Sequence, residues 1–331
     1  MSRKLASVRR IASVQPIPGA DAIEVAQVDG WKVVVKKGEY VPGDLAVYCE
    51  IDSWIPHALA PFLSPAGHEP KVYAGVAGQR LRTIRLRGQL SQGLLLPVQE
   101  GMSEGEDVSE RLGIVKWEAP VPVQLAGEVC GTFPAELIKT EQERCQNLAR
   151  QIPAYAPLRF EITEKLDGTS ATYYLDVEGR FHVCSRNMDL RESAANLYWR
   201  VARQLHIEEK MREAGLPGVA LQGEIIGEGV QGNPYQCKGH RFLVFDVCKA
   251  NEGCWKAEDR HRLVERLGLE HVPVLDTRSL EGLVSVEALL NLADGSSALN
   301  GSRREGIVFK SVDDPRTHFK AISNVWLLKQ G

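Results

Sequence analysis

One stretch of the sequence, EITEKLDGTSATYYL at residues 161–175, sets a lysine, an aspartate and a glycine among strand-like apolar residues. Side chains two apart on a strand project from the same face, so Lys165 and Asp167 are expected to lie together. Gly168 follows, and a glycine lets the backbone bend or be approached closely. A lysine amine is a nucleophile only when neutral, and its reference pKa of about 10.4 keeps it protonated at pH 7. The stretch therefore predicts a reactive lysine where burial and nearby cations lower that pKa.

Polar residues recur within later strand-like runs of the second half. Each of them alone fits a solvent-facing position on an edge strand. Because burying an unpaired charge is costly, the set as a whole favours one shared site. Its members are Glu224 in LQGEIIG, Phe245 and Asp246 in FLVFDV, Glu305 in REGIVFK and Lys320 in HFKAIS.

These residue types suit phosphoryl chemistry. The carboxylates of Asp167, Glu224 and Glu305 offer hard oxygen ligands to Mg²⁺, directly or through water. Lys320 can neutralise charge on a phosphoryl group while it is transferred. The set therefore predicts attack of Lys165 on an α-phosphorus.

The segment GEGVQG at 227–232 matches the glycine pattern of dinucleotide-binding folds. That pattern must open a helix, because the pyrophosphate binds at the helix N-terminus. The residues that follow, NPYQCKGHRF, contain a proline and lack a helical period. We therefore reject a dinucleotide site, and the sequence contains no G-x-x-x-x-G-K-[ST] phosphate-binding loop either.

Residues 1–115 are expected to form an all-β module. Short strand-like runs alternate with turn signals such as PIPGAD and VPGD, which predicts a small barrel of the OB type. The segment QRLRTIRLRGQ concentrates arginines that could follow a nucleic-acid backbone. An edge strand guarded by charge explains them equally well. These arginines are Arg80, Arg82, Arg85 and Arg87.

The second half is expected to form a separate domain. Residues 116–138 are proline-rich and irregular and predict a linker, which leaves 139–331 for the second domain. Its strand-like runs mostly follow one another as hairpins, with helices expected over 192–215, 256–267 and 285–294. This order favours an antiparallel α+β fold over a doubly wound parallel sheet.

The composition is that of an ordinary globular protein, with 44% hydrophobic and 25% charged residues. The net charge of −3 means that nucleic-acid contacts must come from local patches. No apolar run approaches the roughly 20 residues needed to cross a bilayer, so no membrane contact is expected. The seven cysteines are scattered without a C-x-x-C pair, which argues against a zinc knuckle and a disulfide framework. We expect reduced thiols, a cytoplasmic location and a monomer.

The ordered series EKLDGTS, SRN, LQGEIIG, FLVFDV, EGIVFK and FKAIS resembles motifs I, Ia, III, IIIa, IV and V of the covalent nucleotidyltransferases. That superfamily comprises DNA ligases, RNA ligases and mRNA capping enzymes. The segments GWKVVVKKGEYVPGDLAVYCEIDSWIP, RLRGQLSQGLLLP and IKTEQERCQN also resemble the ATP-dependent RNA ligases typified by the Deinococcus enzyme. The resemblance covers nearly the whole chain.

The resemblance implies a role for each matching residue in binding ATP. Lys165 would take AMP in a phosphoramidate bond, and Glu164 would read the adenine amino group. Phe245 would stack on the adenine. Arg186 would bind the ribose, with Asn187 beside it in the same motif.

It also implies where the metal and the phosphates bind. Asp167, Glu224 and Glu305 would hold Mg²⁺ or Mn²⁺, and Lys320 would contact the α-phosphate. RNA ligases of this superfamily often carry a second lysine two residues later, where this chain has Ile322. Lys310, at the end of motif IV, is the candidate replacement, although on a straight strand it faces away from Glu305.

DNA ligases and capping enzymes carry an OB domain after motif V, whereas here the barrel is expected before motif I. This order favours an ATP-dependent RNA ligase that joins 3′-OH and 5′-phosphate ends of RNA or of a nicked duplex containing RNA. One alternative is a guanylyltransferase, which GTP rather than ATP would label. Another is an inactive nucleic-acid-binding protein, which would bind without being labelled.

Overall fold

The computed structural model describes residues 4–65, 67–118, 128–139 and 141–329. The strands up to residue 118 are short. They are β1 (Ala6–Arg10), β2 (Ser13–Pro16), β3 (Ile23–Val28), β4 (Trp31–Lys36), β5 (Leu45–Cys49), β6 (Ser53–Pro56), β7 (Lys71–Tyr73), β8 (Val76–Arg80), β9 (Thr83–Leu86), β10 (Gln89–Gln92), β11 (Leu94–Pro97) and β12 (Val115–Lys116).

Longer strands follow in the rest of the chain. They are β13 (Val129–Thr132), β14 (Glu143–Arg144), β15 (Arg159–Lys165), β16 (Thr169–Leu175), β17 (Phe181–Cys184), β18 (Met188–Leu190), β19 (Val219–Gly227), β20 (His240–Lys249), β21 (Gly253–Cys254), β22 (Glu270–His271), β23 (Val274–Ser279), β24 (Gly306–Ser311) and β25 (His318–Ile322). The helices are α1 (Ile152–Tyr155), α2 (Leu197–Gln204), α3 (Ile207–Glu213), α4 (Ala257–Arg266), α5 (Val286–Ala293) and α6 (Asn324–Lys329).

The chain forms two compact units. The first unit combines β1–β12 with residues 145–153 and with α6. Residues 145–153 belong there because the buried indole N–H of Trp31 donates to the side-chain oxygen of Asn147 at 2.7 Å. The Asn147 amide in turn donates to Glu50. The first unit is therefore built from separate parts of the chain, and the expected linker falls partly on residues 119–127, outside the described residues.

The second unit contains two antiparallel sheets. The larger has the order β13-β18-β17-β16-β19-β20-β21, and the smaller has the order β14-β25-β24-β15-β23. Parallel pairing occurs only between β14 and β25 and between β20 and β22 in the described residues. This arrangement confirms the α+β class predicted from the hairpin order.

Helices α2, α3 and α4 pack on the larger sheet and cover its core. Their apolar side chains, including Val201, Met211 and Leu263, cluster with Tyr173 and Leu221 of the strands. The single helix expected over 192–215 is wrong. His206 has a φ of 53°, a left-handed conformation that ends one helix before the next begins.

A buried ionic network ties the smaller sheet to α4. The guanidinium of Arg260, 2% exposed, donates to Glu161 of β15 and to Nε2 of His271 at 3.0 Å. His261 also bonds the Glu161 carboxylate. Three potential metal ligands lie close together here, namely Glu161, His261 and His271. Arg260 already bonds two of them and supplies the positive charge that an ion would bring.

The expectation that all thiols are reduced is wrong for one pair. Cys248 and Cys254 form a disulfide six residues apart in sequence, where β20 and β21 place them directly opposite each other. The spacing alone did not reveal this register. Among the described residues, no helix is both long and apolar enough to cross a membrane.

Candidate active site

The site forms where the chain passes from one sheet of the second unit to the other. β15, in the smaller sheet, ends at Lys165, and β16 belongs to the larger sheet. The turn between them, residues 166–168, carries Asp167. β19 pairs with β16 and contributes Glu224, while Glu305 directly precedes β24, the neighbour of β15.

Lys165 and Glu305 form an ion pair. The Nζ atom of Lys165 lies 2.7 Å from the Glu305 carboxylate, and the two side chains are 26% and 10% exposed. The strand register explains the contact, because Lys165 lies opposite Gly306. A Cβ at Gly306 would lie 2.3 Å from the carbonyl oxygen of Ala321, so only glycine lets the strands approach this closely.

The carboxylates dominate the electrostatics of the site. Burial alone would lower the pKa of the Lys165 amine, but the neighbouring acids, Glu305 foremost, outweigh burial and raise that pKa. Burial and the charge of Glu305 raise the pKa of Asp167 to about 7. Burial raises the pKa of Glu224 to about 8, although the charge of Lys165 opposes the rise. The amine is therefore protonated in this state, so the expected lowering of its pKa requires a further cation among the acids.

Gly168 packs too closely for any side chain. A Cβ there would lie 2.4 Å from the carbonyl oxygen of Ile225 and 2.8 Å from Cγ of Glu224. The N–H of Gly168 donates to Glu224 at 3.1 Å. The glycine of the K-x-D-G motif thus allows the turn to contact β19 directly, as the sequence predicted.

Glu164 lies next to the nucleophile with one carboxylate oxygen unsatisfied. The N–H of Ala298 donates to Oε2 at 2.8 Å, whereas Oε1 is buried and has no hydrogen-bond partner in the described chain. Burial raises the pKa of this carboxyl, although Ser297 and Ala298 oppose the rise. A buried acceptor without a donor indicates that a ligand donor belongs beside Oε1.

Phe245 is partly buried at the edge of an apolar cluster. Like Leu299, it packs against a buried cluster that contains Leu166 and Tyr235. Leu166 directly follows Lys165 in the chain, and Leu299 directly follows Ala298, whose N–H bonds Glu164. The ring therefore packs on the same apolar cluster as residues adjacent in sequence to Lys165 and to Ala298.

In the structure, the amine of Lys310 contacts Phe245 and Asp246 of β20. Its amine donates at 2.6 Å both to the carbonyl of Phe245 and to the carboxylate of Asp246. The side chains of Lys310 and Asp246 are 7% and 6% exposed. Lys310 therefore contacts the strand that carries Phe245, and its predicted contact with the nucleotide stays a prediction.

The register of the smaller sheet places the lysines on one face. Lys165 shares a row with Gly306 and Ile322, and the row two residues along pairs Val308 with Lys320. Residues directly opposite each other, and residues two apart on one strand, project from the same face of a sheet. Lys320 is thus on the same face as Lys165, and the apolar Ile322 lies in the row of Lys165.

Arg186 and Asn187 lie between β17 and β18. The Arg186 guanidinium, 49% exposed, pairs with Glu141 at 2.5 Å. The Asn187 side chain accepts a hydrogen bond from Lys139 at 3.3 Å. The charge of Arg186 also acts to lower the pKa of Glu224, so Arg186 is within electrostatic reach of the acids.

The four arginines of the first unit have two kinds of environment. The guanidinium of Arg80 pairs with Asp52 at 2.6 Å and lies 3.8 Å from the ring centroid of Trp117. Arg82, Arg85 and Arg87 are exposed. Only these three present cationic surface, so the predicted nucleic-acid contact rests on them.

Sequence reasoning missed Tyr235. The N–H of Asp167 donates to its phenol oxygen at 2.6 Å. A tyrosine within a glycine-rich loop has no periodic or charge signal. The signal available was the GEGVQG segment just before it, which we had rejected as a dinucleotide site.

Family models match both halves of the chain. A model described as an OB-fold domain matches residues 5–98, and a model described as RNA ligase matches residues 158–322. The matches confirm the predicted order of an OB domain before a nucleotidyltransferase domain.

Solved structures of an RNA ligase from Naegleria gruberi are similar over the whole chain. The structure with PPi is 44% identical, with a TM-score of 0.93 and 99% of each chain covered. Two glutamate-to-alanine variants of that ligase, one with ATP and Mn and one with AMP and Mn, are each 44% identical, with TM-scores of 0.92 and 99% of each chain covered. A search of curated proteins found no match.

Proposed function

Since this chain belongs to the RNA ligase family, we propose that it seals breaks in RNA through a covalent lysyl-AMP on Lys165. The observation that carries the proposal is the position of the Lys165 amine, 2.7 Å from Glu305 and within the field of Asp167 and Glu224. A nucleophile surrounded by carboxylates on rigid strands suits phosphoryl transfer, in which positioning and charge stabilisation supply most of the catalysis.

ATP fits the groups around Lys165. The buried Oε1 of Glu164 needs a donor, and the amino group of adenine supplies one. Phe245, which packs on the cluster that contains Leu166, offers an aromatic face for a base. A guanine would present a carbonyl oxygen instead, which a carboxylate repels. ATP is also bound in the relative's solved structures, which supports this choice of nucleotide.

The acids also fit a divalent cation. Burial, and after it the repulsion between the carboxylates, raises the pKa of Asp167 to about 7 and that of Glu224 to about 8, and a divalent cation would offset that repulsion. An all-oxygen donor set suits Mg²⁺ or Mn²⁺, and Mn accompanies the nucleotide in two of the relative's structures. A bound cation would draw charge from the α-phosphate and compete with the ammonium for the acids, which lowers the pKa of Lys165.

The first step forms a P–N bond. The ammonium of Lys165 loses a proton, and the Glu305 carboxylate is the acceptor within hydrogen-bond distance. The neutral amine attacks the α-phosphorus of ATP and breaks the bond to the β-phosphate oxygen, which releases pyrophosphate, and the nitrogen loses its second proton to solvent as the phosphoramidate forms. Lys320, on the same face of the sheet, is placed to offset charge on the α-phosphate.

The later steps use the stored AMP. An oxygen of the RNA 5′-phosphate attacks the phosphorus of lysyl-AMP, which frees Lys165 and caps the 5′ end with AMP. The 3′-hydroxyl of the adjoining strand then attacks the 5′-phosphate, releases AMP and leaves a phosphodiester.

The substrate that we propose is a 3′-OH/5′-phosphate nick whose 3′-OH strand ends in RNA, and the setting that we propose is RNA repair in the cytoplasm. Five of the cysteines, at positions 49, 130, 145, 184 and 237, are free thiols. Five unpaired thiols beside the single Cys248–Cys254 disulfide favour a compartment in which most thiols stay reduced.

Nick sealing tests the proposal directly. Duplexes with a single nick are incubated with ATP and Mg²⁺ or Mn²⁺, with either RNA or DNA at the 3′-OH end of the nick. We expect the RNA-ended nick to be joined at least tenfold faster, and a nick with a 5′-hydroxyl not to be joined. Equal joining of both nicks, or none, would contradict the proposed substrate.

A further inference from the structure

The turn that carries Asp167 has no strand ladder to shape it. β15 pairs with β23 and β24, whereas β16 pairs with β17 and β19. The strands on either side of the turn therefore belong to different sheets, unlike those of a hairpin, whose turn follows the pairing of its strands. Side chains from elsewhere must set the shape of residues 166–168.

Two such side chains come from the loop at 228–239, between β19 and β20. The phenol oxygen of Tyr235 accepts the N–H of Asp167 at 2.6 Å. The side-chain amide of Gln231 donates to the carbonyl of Gly168 at 3.4 Å. The Tyr235 bond is the shorter of the two, and it acts on the residue whose carboxylate faces the nucleophile.

Hydrogen bonds and packing within this loop fix the position of Tyr235. The Asn233 side chain accepts the N–H of Cys237 and donates to its carbonyl, each at 3.0 Å, which closes the loop on itself. Tyr235 is 6% exposed and packs in one cluster with Leu166 and Ile226. Left-handed backbone conformations make these tight turns, at Gly229, Gln231, Gly232, Asn233, Gln236 and Gly239.

We propose that Tyr235 is a positioning residue for adenylylation, and that it acts by fixing the peptide group of Asp167 so that the carboxylate is directed toward Lys165. The loop that follows β19 and contains most of the GEGVQG segment thereby gains a function, which is to support the turn that carries Asp167. This inference rests on the proposed function, because it concerns the same chemical step.

The test removes one oxygen atom. In Tyr235→Phe the ring and its packing remain, but the N–H of Asp167 loses its acceptor. The matched control is Tyr174→Phe, which removes the phenol that donates to Glu136 at 3.1 Å, on the same strand that the turn enters but away from the site. Both variants lose one hydrogen bond, so their melting temperatures should agree within a few degrees.

Two measurements report on the turn. The first is amide hydrogen exchange of the peptide covering 166–168, measured without ATP or metal. The second is the rate of self-labelling by α-labelled ATP as a function of ATP concentration. We expect Tyr235→Phe to exchange faster at this peptide only, and to label about tenfold slower at saturating ATP, with KM for ATP changed less than threefold. Tyr174→Phe should match the wild type in both.

The outcomes separate this inference from the proposed function. If the wild type takes no label, the proposed function fails. If the wild type labels and Tyr235→Phe labels as fast as Tyr174→Phe, the inference alone is overturned. It is also overturned if labelling slows without faster exchange at 166–168. If Tyr235→Phe unfolds, the same two measurements are made on Gln231→Ala. This variant changes an exposed side chain, and we expect a smaller effect in the same direction.

Discussion

Glu164 shows how a single residue can indicate its ligand. Its Oε2 atom has the N–H of Ala298, but its Oε1 atom is buried without a donor. Leaving a buried acceptor unsatisfied costs about 1–3 kcal/mol. The adenine amino group would remove that cost on binding, so discrimination between ATP and GTP is expected to depend on this atom.

Replacing Glu164 by Gln should reduce this discrimination. The glutamine oxygen would turn to the Ala298 N–H, which leaves the amide NH₂ facing the base. That group opposes the amino group of adenine but suits the carbonyl of guanine. We expect KM for ATP in self-labelling to rise about tenfold and the rate with GTP relative to ATP to increase. The exposed Glu178→Gln should change neither, and an unchanged GTP-to-ATP ratio in Glu164→Gln would exclude this role.

At the residue level, the sequence could predict the charged members of the site but not their partners. A charge inside an apolar strand is a visible anomaly, and this identified Lys165, Glu224 and Glu305. The partner of Lys310 was not visible, because it depends on which face of β20 approaches β24. Tyr235 was not visible either, since hydrogen bonds to the backbone of a turn leave no pattern in the sequence.

At the level of elements, β15 combines two roles along one strand. Its end carries Lys165, and its middle carries Glu161 in the buried network with Arg260 and His271. Residues two apart on a strand share a face, so both lie toward the same side. The network anchors the strand that carries Lys165, the proposed nucleophile.

The network predicts a loss of stability in acid. Although burial alone would raise the pKa of Glu161, its bond with His261 and the charge of Arg260 lower it to about 2. Burial and the charge of Arg260 lower the pKa of His271 to about 3. Both groups bind fewer protons in the folded state than in the unfolded state, so their contribution to the free energy of unfolding should fall as the pH drops, whereas Asp167 and Glu224, whose pKa values are raised, contribute in the opposite direction. The His271 contribution is lost from pH 6.5 toward 3, and that of Glu161 from 4.5 toward 2.

Urea unfolding at pH 7, 6 and 5 measures this slope. Each such group contributes at most about 1.4 kcal/mol per pH unit. Between pH 6.5 and 5, the free energy of unfolding of the wild type should drop relative to that of His271→Asn, whereas the exposed His68→Asn should follow the wild type. An equal slope in His271→Asn and the wild type would show that His271 is not held neutral.

The elements themselves were largely predictable, and the exceptions have local causes. Strands in the second unit followed from apolar runs, but the break at His206 depends on one left-handed residue within an otherwise helical pattern. The Cys248–Cys254 disulfide depends on the register of β20 and β21. Neither feature changes the period of the hydrophobic pattern, which is what sequence reasoning detects.

At the scale of the whole molecule, the positive charge available for binding RNA lies in local patches rather than in an overall positive net charge. The net charge is only −3, so we expect RNA to be bound by local patches, for which the exposed arginines after β8 are the candidates. The first unit also includes residues 145–153 and α6. Composition shifts along the chain cannot reveal this, because these segments join the unit through particular bonds such as that between Trp31 and Asn147.

The exposed arginines predict a separation of nucleotide chemistry from RNA binding. In the triple variant Arg82→Ala, Arg85→Ala and Arg87→Ala, we expect self-labelling with ATP within twofold of the wild type. Sealing of a nicked duplex should fall about tenfold. In a plot of the logarithm of the duplex-binding constant against the logarithm of the salt concentration, the slope should become shallower by roughly one for each phosphate contact removed. Arg111→Ala, an exposed arginine whose guanidinium donates to the Glu100 carbonyl at 2.8 Å, is the control. Unchanged sealing and salt dependence would indicate instead that the arginines protect an edge strand from pairing with other chains.

The most direct measurement is covalent labelling of the protein itself. Wild-type protein and Lys165→Ala are incubated with α-labelled ATP and Mg²⁺ or Mn²⁺, and the label that survives denaturation is counted. We predict an acid-labile label on the wild type, released by pyrophosphate, and none on Lys165→Ala. Label on the variant at the wild-type level, or no label on the wild type with either ATP or GTP, would contradict the mechanism.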